Sequence, residues 1–157
     1  MFQANAQDAF QIARNGSVAE MKVLHDNNPK IINEISSEGY SLLILAVYNN
    51  NFEVTKFLIE KGADVNGNSK MGTPLMAAVV KNNQQCAEIL LKNKADVSIS
   101  DVNGSTALHY AVMFKHEMLI KLLIENKADK NQKDQRNLSP LNYAEMTKDE
   151  KIINLLK

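Results

Sequence analysis

A short pattern recurs three times along the chain and decides how the rest is interpreted. It appears as GADVN at 62–66, KADVS at 94–98 and KADKN at 127–131, with its alanines 32 and then 33 residues apart. A second pattern is a Ser or Thr followed by an apolar run that ends on a small residue. It begins at positions spaced by 32, 33 and 33 residues, namely Ser41, Thr73, Thr106 and Ser139. Two markers with one period indicate a repeated structural unit.

The bulk composition fits a single intracellular domain. The 157 residues include 18 basic and 18 acidic side chains, and this balance gives no reason to expect nucleic acid or an anionic membrane as a partner. No apolar run approaches the roughly 20 residues that span a membrane, and the start MFQANAQDAF lacks the features of a signal peptide. One cysteine suits a reducing compartment. We therefore expect a cytoplasmic protein without a membrane segment.

Each unit has the pattern of a helical hairpin. Thr73 and Ser139 are N-cap residues of a first helix, helix A, and Pro74 and Pro140 follow at the first helical position. Helix A is predicted to end near Asn50, Asn82, Lys115 and Lys148. Helix B follows with apolar residues at steps of three and four, as in EVTKFLIEK, which marks one buried face. The predicted units are approximately 1–35, 36–68, 69–100, 101–133 and 134–157, all within one domain, 1–157.

These residues resemble the ankyrin repeat family, whose pattern runs D-x-x-G-x-T-P-L-H-x-A-A, a G-H turn, a second helix and G-A-D-V-N. The stretch from Asp101 to Asn131 matches it over its whole length. The resemblance implies an all-α ankyrin-repeat solenoid of about five helix-turn-helix units with extended loop tips. Asn or Lys replaces the family glycines in the turns, including Lys94 and Lys127, and a left-handed Lys costs on the order of 1 kcal/mol. The third unit lacks one residue before Thr73, which predicts a shorter tip.

No residue pattern points to catalysis. The histidines His25, His109 and His116 have no metal spacing among them, and the resemblance implies that His109 and His116 tie loops together. Cys86 lies at a predicted buried position of a helix B. The stretch GNSKMGT at 67–73 lacks the lysine of a phosphate-binding loop, and DVNGST from Asp101 lacks the spacing of a calcium loop. We predict a protein that is not an enzyme and has no cofactor, catalytic residue or metal site.

The resemblance places partner binding on a concave face formed by the loop tips and the exposed end of helix A. The two helix A positions before each turn carry an apolar residue first in all four of the units that follow the divergent first one. Stacked units should align these side chains in a row, and contiguous apolar surface often marks an interaction site. An alternative is that the row fills the groove between adjacent A helices. The predicted protein-binding residues are Tyr40, Tyr48, Asn49, Val80, Lys81, Met113, Phe114, Leu138 and Met146.

The predicted function is therefore a non-enzymatic module that binds another protein, of unspecified identity, through its concave face as a monomer. Two narrower versions remain open: an inhibitor or immunity-type protein that blocks a partner's active site, and a host-directed bacterial effector or scaffold. An enzyme or small-ligand binder is the hypothesis of another class. It requires a deep pocket, and the regular spacing leaves no insertion long enough to build one.

Overall fold

The computed structural model describes residues 6–70 and 72–157, and within these ranges the helices come in five successive pairs. Met1–Asn5, on which the predicted absence of a signal peptide partly depends, and Met71 in the third loop tip lie outside the described residues. The helices are α1 Ala6–Asn15, α2 Val18–Asn27, α3 Leu42–Tyr48, α4 Phe52–Glu60, α5 Pro74–Val80, α6 Gln84–Lys92, α7 Ala107–Met113, α8 Glu117–Glu125, α9 Pro140–Thr147 and α10 Glu150–Leu156. A short 3₁₀ helix, Pro29–Asn33, follows α2.

The predicted helix starts are confirmed. The Thr73 hydroxyl accepts from the Met76 N–H at 3.3 Å, and the Ser139 hydroxyl accepts from the Asn142 N–H at 3.2 Å. Pro74 and Pro140 occupy the first helical position, where a missing N–H leaves no bond unmade. Each side chain therefore satisfies one of the free donors at the start of its helix.

The pairs stack into two layers. The A helices α1, α3, α5, α7 and α9 contact one another in chain order, and the B helices α2, α4, α6, α8 and α10 do the same. Leucines such as Leu75, Leu90 and Leu123 fill the space between the layers and are at most 1% exposed. Cys86 is also fully buried there, as predicted, and burial raises the pKa of its thiol. The fold is the predicted all-α solenoid.

The turns that follow the helices use a left-handed backbone, as expected from the replaced glycines. After helix A, φ is 59° at Asn50, 51° at Asn82, 58° at Lys115 and 53° at Lys148. After helix B, φ is 68° at Lys94 and 65° at Lys127, the position that Gly62 holds in the second unit with φ 88°. Lysine therefore occupies four positions where a Cβ atom is unfavourable.

The loop tips are tight turns closed by backbone hydrogen bonds. In three tips an N–H donates to the carbonyl four residues later: Ser36 to Tyr40, Asp101 to Ser105 and Asp134 to Leu138. In the tip of the third unit the Ser69 N–H donates to the carbonyl only three residues later, that of Gly72, at 3.0 Å, which confirms the predicted shortening. The last two tips also bond to each other, because the Gln135 N–H donates to the Asn103 carbonyl at 2.9 Å.

His109 ties two tips together, as the resemblance implied. Its Nδ1 accepts from the Thr106 N–H at 3.1 Å, so the proton of the neutral ring is on Nε2, which donates to the Leu138 carbonyl at 3.2 Å. The ring is fully buried, and burial lowers the pKa of His109 in spite of the nearby Leu138 carbonyl and Asp134, which raise it. The side chain thus joins the fourth unit to the fifth.

The other histidines have structural surroundings. His116 is the N-cap residue of α8, and its ring lies 5.8 Å from that of Phe114. The His25 ring packs edge-on against Phe57 at 5.9 Å. Nowhere in the described parts of the chain do three or more His, Cys, Asp or Glu side chains come together as a metal ion would require. Across residues 6–70 and 72–157, no helix is both long enough and apolar enough to cross a membrane.

Candidate protein-binding face

The caps of the B helices define the register of the predicted row. These helices begin after Ser17, Asn51, Asn83, His116 and Asp149. Three residues before each cap lie Arg14, Tyr48, Val80, Met113 and Met146. The predicted row therefore occupies equivalent positions, and it continues into the first unit with Arg14. The sequence interpretation missed Arg14 because it placed no row position in the divergent first unit.

The row changes from half-buried to open along the solenoid. Tyr48, Val80 and Met113 are half-buried, whereas Met146 is 67% exposed. Tyr48 packs against the core, as does Tyr40 in the preceding tip. For these two tyrosines part of the side chain packs on the core and only the remainder faces outward.

The neighbouring predicted residues have defined contacts. The Lys81 ammonium lies 4.9 Å from the centre of the Tyr48 ring, a cation–π contact that joins the second and third units. The Asn49 side-chain amide donates to the Leu45 carbonyl at 2.8 Å, within its own helix. Phe114 is 49% exposed and stacks on Tyr110 with ring centres 6.3 Å apart. Phe114 therefore exposes about half of an aromatic ring that Tyr110 supports from one side.

A groove of about 380 Å³ joins the last two tips to the A helices. Met113 contributes to it, whereas Leu138 of the last tip is half-buried, does not line the groove, and accepts from His109 through its carbonyl. The residues that line it are Asn103, Ser105, Tyr110, Met113, Asp134, Gln135, Arg136 and Tyr143. Loop tips and A helices thus share one surface, which we term the concave face. It consists of the tips 36–40, 69–70 with Gly72, 101–105 and 134–138, the outward side of α1, α3, α5, α7 and α9, and the turn residue after each of these helices.

Two tyrosine–aspartate pairs line this groove and were not among the predicted residues. The Tyr110 hydroxyl donates to Asp101 and the Tyr143 hydroxyl donates to Asp134, both at 2.5 Å. Burial, followed by the Asp101 hydrogen bond, raises the pKa of Tyr110 to about 12, and the bond to Asp134 raises the pKa of Tyr143. The available signal was a tyrosine nine residues after an aspartate in two successive units.

A second groove of about 440 Å³ lies at the other end of the concave face. Phe10, Gln11 and Arg14 of α1 line one side, and residues 34–38 line the other. Arg14 forms an ion pair with Glu38 at 3.4 Å across it. Both grooves are shallow and polar, and in the described residues every fully buried side-chain N or O atom has a hydrogen-bond partner. The arrangement suits contact with a surface better than enclosure of a small molecule.

Comparison with known proteins agrees with this geometry. Residues 9–101 and 98–157 match the family description "Ankyrin repeats (3 copies)". The chain belongs to the ankyrin repeat family. Ankyrin repeats are generally protein–protein interaction modules, and the ankyrin repeat fold is generally non-catalytic.

Three relatives show how the ankyrin repeats occur in larger proteins. The chain is 29% identical over 108 residues to Ankyrin repeat and SAM domain-containing protein 6 of Rattus norvegicus, covering 68% of this chain and 12% of that protein. It is 34% identical over 109 residues to Palmitoyltransferase akr1 of Emericella nidulans, covering 68% and 15%. It is 33% identical over 99 residues to Transient receptor potential cation channel subfamily A member 1 of Homo sapiens, covering 61% and 9%. The chain therefore spans less than a fifth of each of these relatives.

Proposed function

We propose that this chain is a non-enzymatic module that binds a partner protein through its concave face. The predicted contact residues are Tyr40, Tyr48, Asn49, Val80, Lys81, Met113, Phe114, Leu138 and Met146, and the two groove tyrosines Tyr110 and Tyr143 join them. We also propose that the protein is a monomer and that it acts in the cytoplasm. The partner's identity is left open.

The distribution of exposed apolar side chains carries this proposal. Among the described residues six large apolar side chains are exposed. Four of them lie on the concave face or directly beside it: Ile35, Val102, Phe114 and Met146. Only Val23 and Met118 lie on B helices. Exposed apolar side chains gathered on one side of a protein favour a binding role for that side.

The test uses variants whose effects on folding and on binding can be separated. Phe114 and Met146 are 49% and 67% exposed, so alanine at either position should leave the melting temperature nearly unchanged. Tyr48 is half-buried against the core, so Tyr48→Ala should cost stability as well as binding. Lys56→Glu on α4 is the matched control, because Lys56 is exposed on a B helix and only pairs with Glu60 at 4.0 Å.

The chain and its variants would be used to capture partners from the cells that produce it, followed by calorimetry with the purified partner. Phe114→Ala should weaken binding by more than about 1 kcal/mol, the usual threshold for an important interface residue. Lys56→Glu should bind like the unmodified chain. A partner that tolerates Phe114→Ala and Met146→Ala together, yet is lost with Lys56→Glu, would place binding on the B helices and reject the proposal.

A further inference from the structure

We propose that the concave face takes an acidic segment of its partner, with carboxylates that flank an apolar or aromatic side chain. This inference rests on the proposed protein-binding function and specifies the chemistry of the bound segment. It follows from which charged groups on this face already have partners within the chain and which do not.

The acidic side chains of the concave face are largely committed to internal contacts. Asp134 is 8% exposed, and it accepts from the Tyr143 hydroxyl and from the N–H groups of Arg136 and Leu138. Asp101 accepts from the Tyr110 hydroxyl and from two N–H groups of its own tip. Glu38 pairs with Arg14, which leaves Glu145 of α9 as an exposed carboxylate on this face that has only a 3.4 Å contact with the Asn142 amide.

The basic side chains show the opposite pattern. Within the described residues, no carboxylate lies within 4.0 Å of the charged groups of Lys81, Arg136 or Lys148, and all three are exposed. Lys115 differs, because its ammonium pairs with Asp149 at 3.2 Å. The concave face therefore presents exposed cations that pair with no carboxylate of the described residues.

These exposed cations are a local feature, since the whole chain has a formal net charge of zero. The B helices carry eight acidic and five basic side chains, and two of these lysines, Lys56 and Lys151, pair with Glu60 and Glu117. A ligand with negative charge would consequently be drawn to the concave face over the opposite side.

The two arginines of the chain mark the two grooves of this face. The other sixteen of the 18 basic residues are lysines, yet Arg14 lines one groove and Arg136 the other. Guanidinium groups bind carboxylates with two parallel hydrogen bonds, a geometry that lysine lacks. In the first groove Arg14 already contacts the carboxylate of Glu38. The Arg136 groove offers the same group without a carboxylate partner.

Apolar contacts lie between these cations. Phe114 comes directly after the row residue Met113, and Lys81 holds the equivalent position in the unit before. Met146 lies two residues before Lys148. The proposed segment crosses the A helices, with carboxylates at Lys81, Arg136 and Lys148 and an apolar side chain over Phe114 or Met146. The charges would give the partner its orientation, and the apolar contact would slow its release.

Two fluorescein-labelled 12-residue peptides provide the test. Both carry the same Phe and Leu positions, with Glu and Asp between them in one peptide and Lys in the other. The acidic peptide should bind more tightly in fluorescence anisotropy, and its affinity should fall at least fivefold between 50 and 300 mM NaCl because salt screens exposed charges. The backbone NMR shifts should change at Lys81, Phe114, Arg136 and Lys148.

Charge reversal identifies the face that binds. Arg136→Glu combined with Lys148→Glu should weaken the acidic peptide at least fivefold, whereas Lys56→Glu combined with Lys121→Glu on the B helices should change its affinity less than twofold. Circular dichroism checks that both double variants fold. Equal binding of the two peptides, equal effects of the two double variants, or tighter binding of a dT12 oligonucleotide at the same residues would overturn the inference. A partner that requires Phe114 while the acidic peptide fails to bind would leave the proposed function standing and reject only the acidic segment.

Discussion

Replacing Lys94 with glycine should stabilise the protein, because this lysine occupies a backbone conformation that glycine adopts more easily. Its φ is 68°, and a side chain in the left-handed region costs about 1–2 kcal/mol. Glycine avoids that cost but loses about 0.5–1 kcal/mol through the greater freedom of the unfolded chain. The net gain expected for Lys94→Gly is about 0.5–1 kcal/mol, or a rise of about 1–4 °C in melting temperature for a chain of this size.

The surroundings of Lys94 make it a clean site for this measurement. Its side chain is exposed and forms no hydrogen bond or ion pair within the described residues, and its N–H bond to the Leu91 carbonyl at 3.0 Å remains available to glycine. Lys115, with φ 58°, is less clean because glycine there also removes the ion pair with Asp149. We therefore expect a smaller gain from Lys115→Gly.

Urea unfolding followed by circular dichroism at 222 nm would measure the free energy of unfolding. Lys94→Ala is the matched control, since alanine keeps the Cβ atom and the strained backbone and should give no comparable gain. Lys92→Gly, at the last residue of α6, should instead lower the free energy of unfolding, by no more than the roughly 1 kcal/mol that glycine costs inside a helix. An equal gain from alanine and glycine at position 94 would show that removal of the charged side chain, and not relief of the backbone, is responsible.

Three further predictions follow from burial and from the tips. Leu90→Ala should lower the free energy of unfolding by about 2–5 kcal/mol in urea melts, because Leu90 is fully buried. Gly104→Ala should lower the melting temperature more than Gly39→Ala. Both glycines have positive φ, but only at Gly104 would a Cβ atom meet neighbouring backbone, the Gln135 nitrogen at 3.0 Å. Equal losses for the two variants would contradict this. Stability should also fall as the pH drops below about 6.5, because burial keeps the pKa of His109 below that value and the unfolded chain takes up the proton first. His109→Asn should keep the helix cap, because Asn142 holds the equivalent position in the last unit. The variant should also reduce this pH dependence in melts at pH 7 and pH 5.5. An unchanged dependence would assign it to other groups.

The repeated architecture was predictable because its signals are local. A Thr or Ser before Pro defines a helix start within two residues, as at Thr73 and Ser139, and the left-handed turns follow from where the family glycines were replaced. The shorter third tip followed from one missing residue. Each of these features depends on a few neighbours in sequence, which the period of the repeat aligns from unit to unit.

The candidate binding face was less predictable because its properties depend on how units pack. Sequence position places Tyr48 and Met146 at equivalent points, yet one is half-buried and the other largely open. The contact between Tyr110 and Asp101 depends on the folding of the tip against its own helix. Asp134 lies two residues before Arg136, yet it accepts from the Tyr143 hydroxyl and the Arg136 backbone N–H and forms no ion pair with the Arg136 guanidinium within the described residues. The residue types alone carry none of these relations.

The stacking of each helix on its immediate neighbours also has a kinetic consequence. The main contacts join helices of one unit or of adjacent units, so no early step has to close a loop across the whole chain. Low contact order of this kind is associated with rapid folding. The inner pairs have neighbours on both sides, so a folding nucleus is favoured around α5 to α8 and would extend outward from there. Substitutions in α10 would then act mainly on the rate of unfolding, whereas substitutions such as Leu90→Ala would also slow folding itself.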